Sequence, residues 1–293
     1  KTGSFSNALS SVNGTTYIGY DAGLSGAGTS HNTFFGYYAG RANTGTRNVM
    51  MGSQTAYSGT STMNYNVLIG YNVLRSATNT TESNVVIGDS AAGGSSGFST
   101  GVVIGQAAGY SLTGNNNTVI GYGAYYGATT GTSAVVIGYQ AGNAANAIGN
   151  VLIGYRAGYV NTANSNVYIG QEAGRNNTSG GSNVFIGVDA GYANVTGNSN
   201  SFVGTQAGTY QKGTYNTAIG HIALFGSSSG TSTASYNTAL GYSAGNKITT
   251  GERNTFIGSV SGNLTTTGSY NTALGYGSYQ GYTGYANTGD DNT

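Results

Sequence analysis

A short apolar stretch that ends in glycine recurs along the whole chain at nearly constant spacing. Sixteen such glycines follow one another at a mean interval of about 17 residues, a fixed period that marks a repeat architecture, and the repeat reads N-[TV]-x-I-G-Y-x-A-G, as in residues 150–158. β-branched residues at alternating positions favour a strand, and no helical period is present. The pattern therefore predicts one short strand per repeat. The repeat glycines are Gly19, Gly36, Gly52, Gly70, Gly88, Gly105, Gly121, Gly138, Gly154, Gly170, Gly187, Gly204, Gly220, Gly241, Gly258 and Gly275.

Repeats of this length predict an all-β fold, a parallel β-solenoid or β-roll of about sixteen 17-residue coils. A 17-residue unit is too short for a strand followed by a helix. The chain contains no proline, as expected where every coil donates backbone hydrogen bonds to its neighbour. We expect strands of four or five residues and more than a third of the chain in strands.

The regularity of the repeat predicts the domain organisation. Residues 1–14 form a leading segment, 15–279 the solenoid and 280–293 a tail. The interval from Gly220 to Gly241 is the longest between neighbouring repeat glycines, so an insertion within 221–240 is expected to form an exposed surface loop, with Ser227 to Ser232 at its tip.

Asparagine stands four residues before the repeat glycine in thirteen of the sixteen repeats. Stacked coils place these amides in register, so that each bonds to the next along the axis. We interpret them as a structural ladder, not as ligand contacts. The positions assigned to it are Asn48, Asn66, Asn84, Asn150, Asn166 and Asn183.

The residue two before the repeat glycine is apolar or aromatic in every repeat. If the β-branched residues on either side of it point into the coil, alternation places this middle residue outside. A continuous exposed apolar stripe is typical of an interface, and the sequence then predicts a parallel homotrimer about a threefold axis. The residues assigned to the interface are Phe34, Leu68, Val86, Val119, Leu152, Phe185, Phe202 and Phe256.

Composition narrows the classes of function. The 293 residues include 53 Gly and 25 Tyr but no Cys, and 6% are charged, for a net charge of +1. The lack of cysteine excludes a disulfide scaffold and thiolate metal sites. A charge near zero disfavours nucleic acid as a partner, and no apolar run approaches the ~20 residues of a membrane span.

Candidate catalytic and metal-binding residues do not form a convincing site. The string G-Y-S-A-G around Ser243 matches a nucleophile elbow, but other repeats carry Asp21 or Gln140 at the same position. The two histidines, His31 and His221, have no designated partner in the sequence, and the eight carboxylates are dispersed. The sequence therefore predicts no enzyme, no metal and no cofactor.

Tyrosine allows two interpretations. It follows the repeat glycine in eight repeats, where a stacked ladder with hydroxyl groups reaching water is the simpler interpretation. Rings in the variable turn are the stronger candidates for glycan contact. These are Tyr110, Tyr159, Tyr192 and Tyr210.

The N-T-x-I-G-Y-x-A-G…T-T-G pattern resembles the repeats of long phage tail-fibre proteins from about Thr15 to Gly275. It is also similar to the heads of trimeric autotransporter adhesins, whose repeats centre on S-V-A-I-G but are shorter and poorer in tyrosine. The resemblance implies a stiff trimeric fibre shaft that acts as a spacer in host attachment, on a virion tail fibre or an extracellular or cell surface. Its implied partners are further copies of the chain and host surface glycans or a receptor.

Two alternatives remain open from the sequence. One is a bacterial cell-surface adhesin or extracellular filament in which the solenoid itself binds glycans. The other is an ice-binding solenoid, which requires a regular threonine array on one exposed face. The position three before the glycine holds seven Thr, one Ser and eight Val, and its predicted inward direction disfavours ice binding.

Overall fold

The computed structural model describes residues 14–24, 29–58, 62–230, 232–279 and 289–290. Over these residues the chain is an all-β parallel solenoid of about sixteen coils, one for each repeat, as predicted, and it contains no helix. The described part accordingly offers no helix with the length and apolarity to cross a bilayer. The chain divides into two compact units, Lys1–Ile148 and Gly149–Thr293.

Each unit carries eight three-residue strands that pair in parallel with the next in chain order, and the first unit has an additional two-stranded pair, β4 with β6. The strands of the first unit are β1 Thr16–Ile18, β2 Thr33–Phe35, β3 Val49–Met51, β4 Met63–Asn64, β5 Val67–Ile69, β6 Thr81–Glu82, β7 Val85–Ile87, β8 Val102–Ile104, β9 Thr118–Ile120 and β10 Val135–Ile137. Those of the second are β11 Val151–Ile153, β12 Val167–Ile169, β13 Val184–Ile186, β14 Ser201–Val203, β15 Thr217–Ile219, β16 Thr238–Leu240, β17 Thr255–Ile257 and β18 Thr272–Leu274.

The strands are shorter than the predicted four or five residues, and strand content is well below a third. The coil turns at fixed positions where even non-glycine residues adopt a left-handed backbone, such as Glu172 with φ 54° and Ser182 with φ 58°. Parallel hydrogen bonding continues through these turns, as from the Gln206 amide to the Val188 carbonyl at 2.8 Å. Stacking of coils, more than strand length, therefore organises the backbone.

The long interval between Gly220 and Gly241 forms a loop that is only partly exposed. Ser228 and Ser229 face solvent, but Ser232 is buried and its hydroxyl accepts a hydrogen bond from the Ser227 amide at 2.7 Å. The prediction that the whole tip is exposed is wrong at Ser232, because its hydroxyl closes the loop from inside. Nearly all of the predicted leading segment and tail, residues 1–13, 280–288 and 291–293, lies outside the described residues.

The core of the coil is built from the middle residue of each strand. This corrects the predicted interface, since all eight residues assigned to it are fully buried within a single chain: Phe34, Leu68, Val86, Val119, Leu152, Phe185, Phe202 and Phe256. The reason is period-two geometry, because the middle residue lies two positions after the buried asparagine and must share its face. The β-branched residues on either side point outward.

Aromatic residues stack in register inside the second unit. The rings of Tyr168 and Phe185 lie 4.9 Å apart at 7°, and those of Phe185 and Phe202 repeat the same distance and angle. Alanines three residues after the repeat glycine, such as Ala173 and Ala190, are fully buried beside this stack. Their small side chains leave the width that the aromatic rings occupy.

The asparagine ladder is present in the structure. In the first unit, Asn66 donates its side-chain amide to Asn48 Oδ1 at 3.0 Å, and Asn84 donates to Asn66 Oδ1 at 3.0 Å. In the second, the backbone amides of Asn166 and Asn183 donate to Oδ1 of Asn150 and Asn166, both at 2.8 Å. Because each side chain joins its own coil to its neighbour, the ladder fixes the register of stacking.

The buried hydroxyl of Tyr168 has no hydrogen-bond partner among the described residues, which costs about 1–3 kcal/mol. Tyr168→Phe keeps the ring and removes that group, so we expect a gain of about 1 kcal/mol in the free energy of unfolding, measured by denaturant titration.

The same variant should alter the response to alkali. Burial raises the pKa of Tyr168, and burial raises the pKa of Tyr125 to about 12. When folding raises a tyrosine pKa, this group leaves the free energy of unfolding unchanged below ~10, the pKa of the unfolded state. The free energy of unfolding then falls as the pH rises above that value. Wild type should therefore lose more stability between pH 9 and 11 than Tyr168→Phe, and equal losses would contradict the prediction.

Candidate interaction surfaces

The first and third residues of each three-residue strand form what we call the outer strand face. In most of these strands the two positions are valine or threonine followed by isoleucine, as at Val167 and Ile169 or Val184 and Ile186. Most of these side chains are half-buried, because residues in successive coils shield one another. Ile219 is more open to solvent, at 46% exposed. No charged residue occupies either position in any of the sixteen strands of this kind. Each unit thus presents an uncharged surface, with an apolar residue at every third strand position and valine, threonine or serine at every first position.

Exposed aromatic residues border the outer strand face on both sides. The pairs Tyr122–Tyr139 and Tyr215–Tyr236 stack at 5.2 and 5.1 Å between ring centroids. This agrees with the predicted ladder after the repeat glycine and adds a second row on the opposite edge. The row five before the glycine contains Tyr65, Tyr215, Tyr236 and Tyr270, and the row after it contains Tyr20, Tyr37, Tyr71, Tyr122, Tyr139, Tyr155, Tyr242 and Tyr276.

The four tyrosines predicted to contact glycans are all half-buried. Tyr110 stacks on Tyr126 with centroids 5.1 Å apart, and Tyr210 meets the edge of Phe225 at the same distance. Tyr159 and Tyr192 lie against the guanidinium of Arg175. The most exposed rings are those that border the outer strand face, so the turn does not present the freely exposed rings that the sequence suggested.

The sequence reasoning missed a column of arginine and tyrosine five residues after the repeat glycine, which we call the Arg–Tyr column. In the first unit it brings together Arg41, Tyr57 and Arg75, and in the second Tyr159, Arg175 and Tyr192. The signal was available, because neighbours in the column are separated by one period of the repeat.

The residues considered for catalysis do not assemble. His221 is exposed and its ring stacks on Tyr242 at 5.6 Å. The Ser243 amide donates to the His221 backbone carbonyl at 3.0 Å, and no side-chain hydrogen bond links the two residues. In the part of the chain that the structure describes, no three His, Cys, Asp or Glu residues come together as potential metal ligands.

The features open to partners are therefore two: the outer strand face with its aromatic borders, and the Arg–Tyr column. Comparison with known proteins adds no family to this geometry. No protein-family model matches the chain, and no curated protein matches it.

Proposed function

We propose that this protein is a structural fibre shaft of the phage tail-fibre type, a stiff spacer assembled as a parallel homotrimer through its outer strand face and located on the virion. The observation that carries the proposal is the uncharged and largely apolar outer strand face of each unit. Surfaces of this kind on soluble proteins are normally covered by a partner. We propose that further copies of the same chain cover the outer strand face.

The face runs the length of each unit. Eight strands at ~4.8 Å extend about 34 Å, and the tyrosine rows on both edges add contact area beyond the three strand residues.

Threefold symmetry brings three copies of the face together about one axis, a closed arrangement that leaves no copy of the face exposed. Isoleucine and valine then fill the axis. The tyrosine rows of adjacent copies meet at the corners, where their hydroxyl groups reach water.

Stiffness is supported by the direction of the hydrogen bonds. Within each unit, backbone bonds join successive coils through both strands and turns, as between the Gly170 amide and the Ile153 carbonyl at 2.8 Å. The asparagine ladder adds side-chain bonds along the same direction. Bending such a stack requires several of these bonds to lengthen together.

Ice binding is a second candidate, because the threonine position faces outward and not inward as predicted. Thr217, Thr238, Thr255 and Thr272 are consecutive on the outer strand face of the second unit. The valines of β11, β12 and β13 interrupt the array, and the face as a whole favours association. Thermal hysteresis by a monomer would favour ice binding instead.

Placing lysine on the outer strand face should dissociate the assembly and leave each chain folded. We expect wild type to have the mass of three chains in dilute buffer, and Ile169→Lys/Ile186→Lys to be monomeric with an unchanged circular dichroism spectrum. Six ammonium groups would otherwise be desolvated near one axis, at several kcal/mol each. Analytical ultracentrifugation or mass photometry gives the measurement.

Ser179→Lys is the matched control, because Ser179 is exposed in a turn away from the outer strand face. It adds the same kind of charge and should remain trimeric. A folded wild-type monomer at micromolar concentration would refute the fibre assembly, and a dimer would refute its threefold symmetry.

A further inference from the structure

The Arg–Tyr column of the first unit alternates cation and ring from coil to coil. The guanidinium carbon of Arg41 lies 5.6 Å from the centroid of Tyr57, and that of Arg75 lies at the same distance from this ring. Arg41 also lies 5.1 Å from the ring of Tyr38. One ring is thus held between two guanidinium groups on neighbouring coils.

The second unit presents the complementary alternation. Arg175 lies between Tyr159 and Tyr192, at 6.0 and 5.6 Å from their ring centroids, and its Nη1 donates a hydrogen bond to the Tyr192 hydroxyl. Arg156 adds a second cation over Tyr159 at 5.7 Å. Both units therefore display cations and rings in one column at the spacing of the coils.

Carboxylates lie beside both columns. Asp21 lies 3.7 Å from Arg41 Nε and Glu172 lies 3.7 Å from Arg175 Nε, distances too long for a hydrogen bond. The first site, with Arg41, Arg75 and Asp21, carries a formal charge of +1, and the second reaches +1 when Arg156, next to the column, is counted with Arg175 and Glu172. The Arg41 and Arg175 side chains are 38% and 28% exposed, and their Nη2 atoms make no hydrogen bond with the described residues.

We propose that the Arg–Tyr column binds a carboxylate-bearing polysaccharide that runs along the solenoid axis. Successive coils are ~4.8 Å apart, about the length of one sugar residue in an extended chain, so each sugar meets one coil. The tyrosine rings hold the guanidinium groups in place by cation–π contact, and guanidinium groups match carboxylates in shape and charge. The inference is independent of the trimer, since the column lies off the outer strand face.

Nucleic acid is the competing anionic polymer, and the structure favours it less. Binding to a phosphate backbone relies on many basic groups, each of which releases a counterion, whereas the first column has two arginines and the second has one. The chain as a whole carries a net charge of only +1. A weakly cationic column with its arginines at the spacing of the coils fits a polymer of spaced carboxylates.

The test measures binding of the full chain to polygalacturonate by biolayer interferometry, with dextran as the neutral polymer and an oligothymidylate as the competing anion. We expect binding to polygalacturonate that weakens with salt, and none to dextran. Arg41→Gln/Arg175→Gln should weaken it about tenfold per site, the effect of losing a charged hydrogen bond.

Two further variants separate recognition from folding. Lys247→Gln removes the same charge from a residue outside the column and should bind as wild type. Tyr159→Phe should retain binding and Tyr159→Ala should lose it, with melting temperatures recorded for both. Equal loss in Lys247→Gln, no loss in the arginine variant, or stronger binding to oligothymidylate would each overturn the proposal.

Discussion

Gly187→Ala is expected to destabilise the solenoid by about 4 kcal/mol, although the substitution adds a single methyl group. Gly187 has φ +133°, a conformation that non-glycine residues adopt at a cost of about 1–3 kcal/mol. A Cβ there would lie 2.5 Å from the carbonyl oxygen of Gly204 and 2.6 Å from its carbonyl carbon. Since these are backbone atoms of the next coil, relief requires the coils to separate, and overpacking of this kind costs a further ~1–3 kcal/mol.

Gly149→Ala provides the comparison for backbone strain without a clash. Gly149 also has positive φ, +68°, but a Cβ there meets nothing within 4 Å, so about 1 kcal/mol is expected. Thermal melting of both variants beside wild type gives the answer. A Gly187→Ala protein that melts within a degree or two of Gly149→Ala would show that the close coil contact does not limit this position.

The fold was predictable from the sequence because the same pattern of strand residues and glycine occurs sixteen times. A glycine at nearly constant spacing, outside the one insertion, together with three β-compatible residues before it, permits few structures other than a stack of coils. Strand length was not predictable in the same way. Left-handed residues such as Ser182 and Glu172 carry no strong sequence signature, because the stacked coil imposes their backbone conformation.

The direction of the side chains was predicted wrongly, for a physical reason. All three residues of a strand such as Val184–Ile186 are apolar, so hydrophobicity alone cannot separate inside from outside. The buried asparagine resolves the choice, since Asn183 and Phe185 are two residues apart and share a face. Both are fully buried. The ladder and the outward stripe could not both have been correct as first assigned.

The candidate surfaces depend on contacts between particular residues in neighbouring coils. A consensus of the repeats does not show these residues, because it records only what most repeats share. Arg41, Tyr57 and Arg75 occupy one position of the repeat, yet each is an individual departure from its neighbours. The outer strand face was missed because its residues were assigned to the core. With the side-chain directions corrected, the reasoning that led to association still applies, and the proposed interface moves to the first and third residues of each strand.

A second large effect on stability is expected at Asn166 of the asparagine ladder, because both its side-chain oxygen and its side-chain nitrogen make hydrogen bonds. Its Oδ1 accepts the Asn183 amide at 2.8 Å, and its Nδ2 donates to the carbonyls of Ala163 and Gly180 at 3.2 and 3.0 Å. The residue is completely buried. Aspartate has nearly the same shape but only acceptors when ionised, so Asn166→Asp would keep the bond to Asn183 and turn a carboxylate oxygen toward two carbonyl oxygens.

We expect Asn166→Asp to lower the free energy of unfolding at pH 7 by about 3–5 kcal/mol, the cost of an uncompensated buried charge. Burial and the facing carbonyl groups raise the pKa of the introduced carboxyl above its unfolded value of ~3.9. The folded variant therefore binds its proton more tightly than the unfolded chain, and its deficit relative to wild type grows as pH rises and shrinks as pH falls toward 4. The protonated acid also regains one donor for the facing carbonyls.

Asn198→Asp separates this effect from the general consequence of adding a negative charge. Asn198 is exposed and its Oδ1 accepts the Gly181 amide at 2.8 Å, a bond that a carboxylate also accepts. Its stability should lie within about 0.5 kcal/mol of wild type and should show no recovery in acid. Denaturant titrations of the two variants at pH 4 and pH 7 are decisive, because a purely structural loss at Asn166 would be the same at both pH values, whereas a buried carboxylate must recover part of its stability at pH 4.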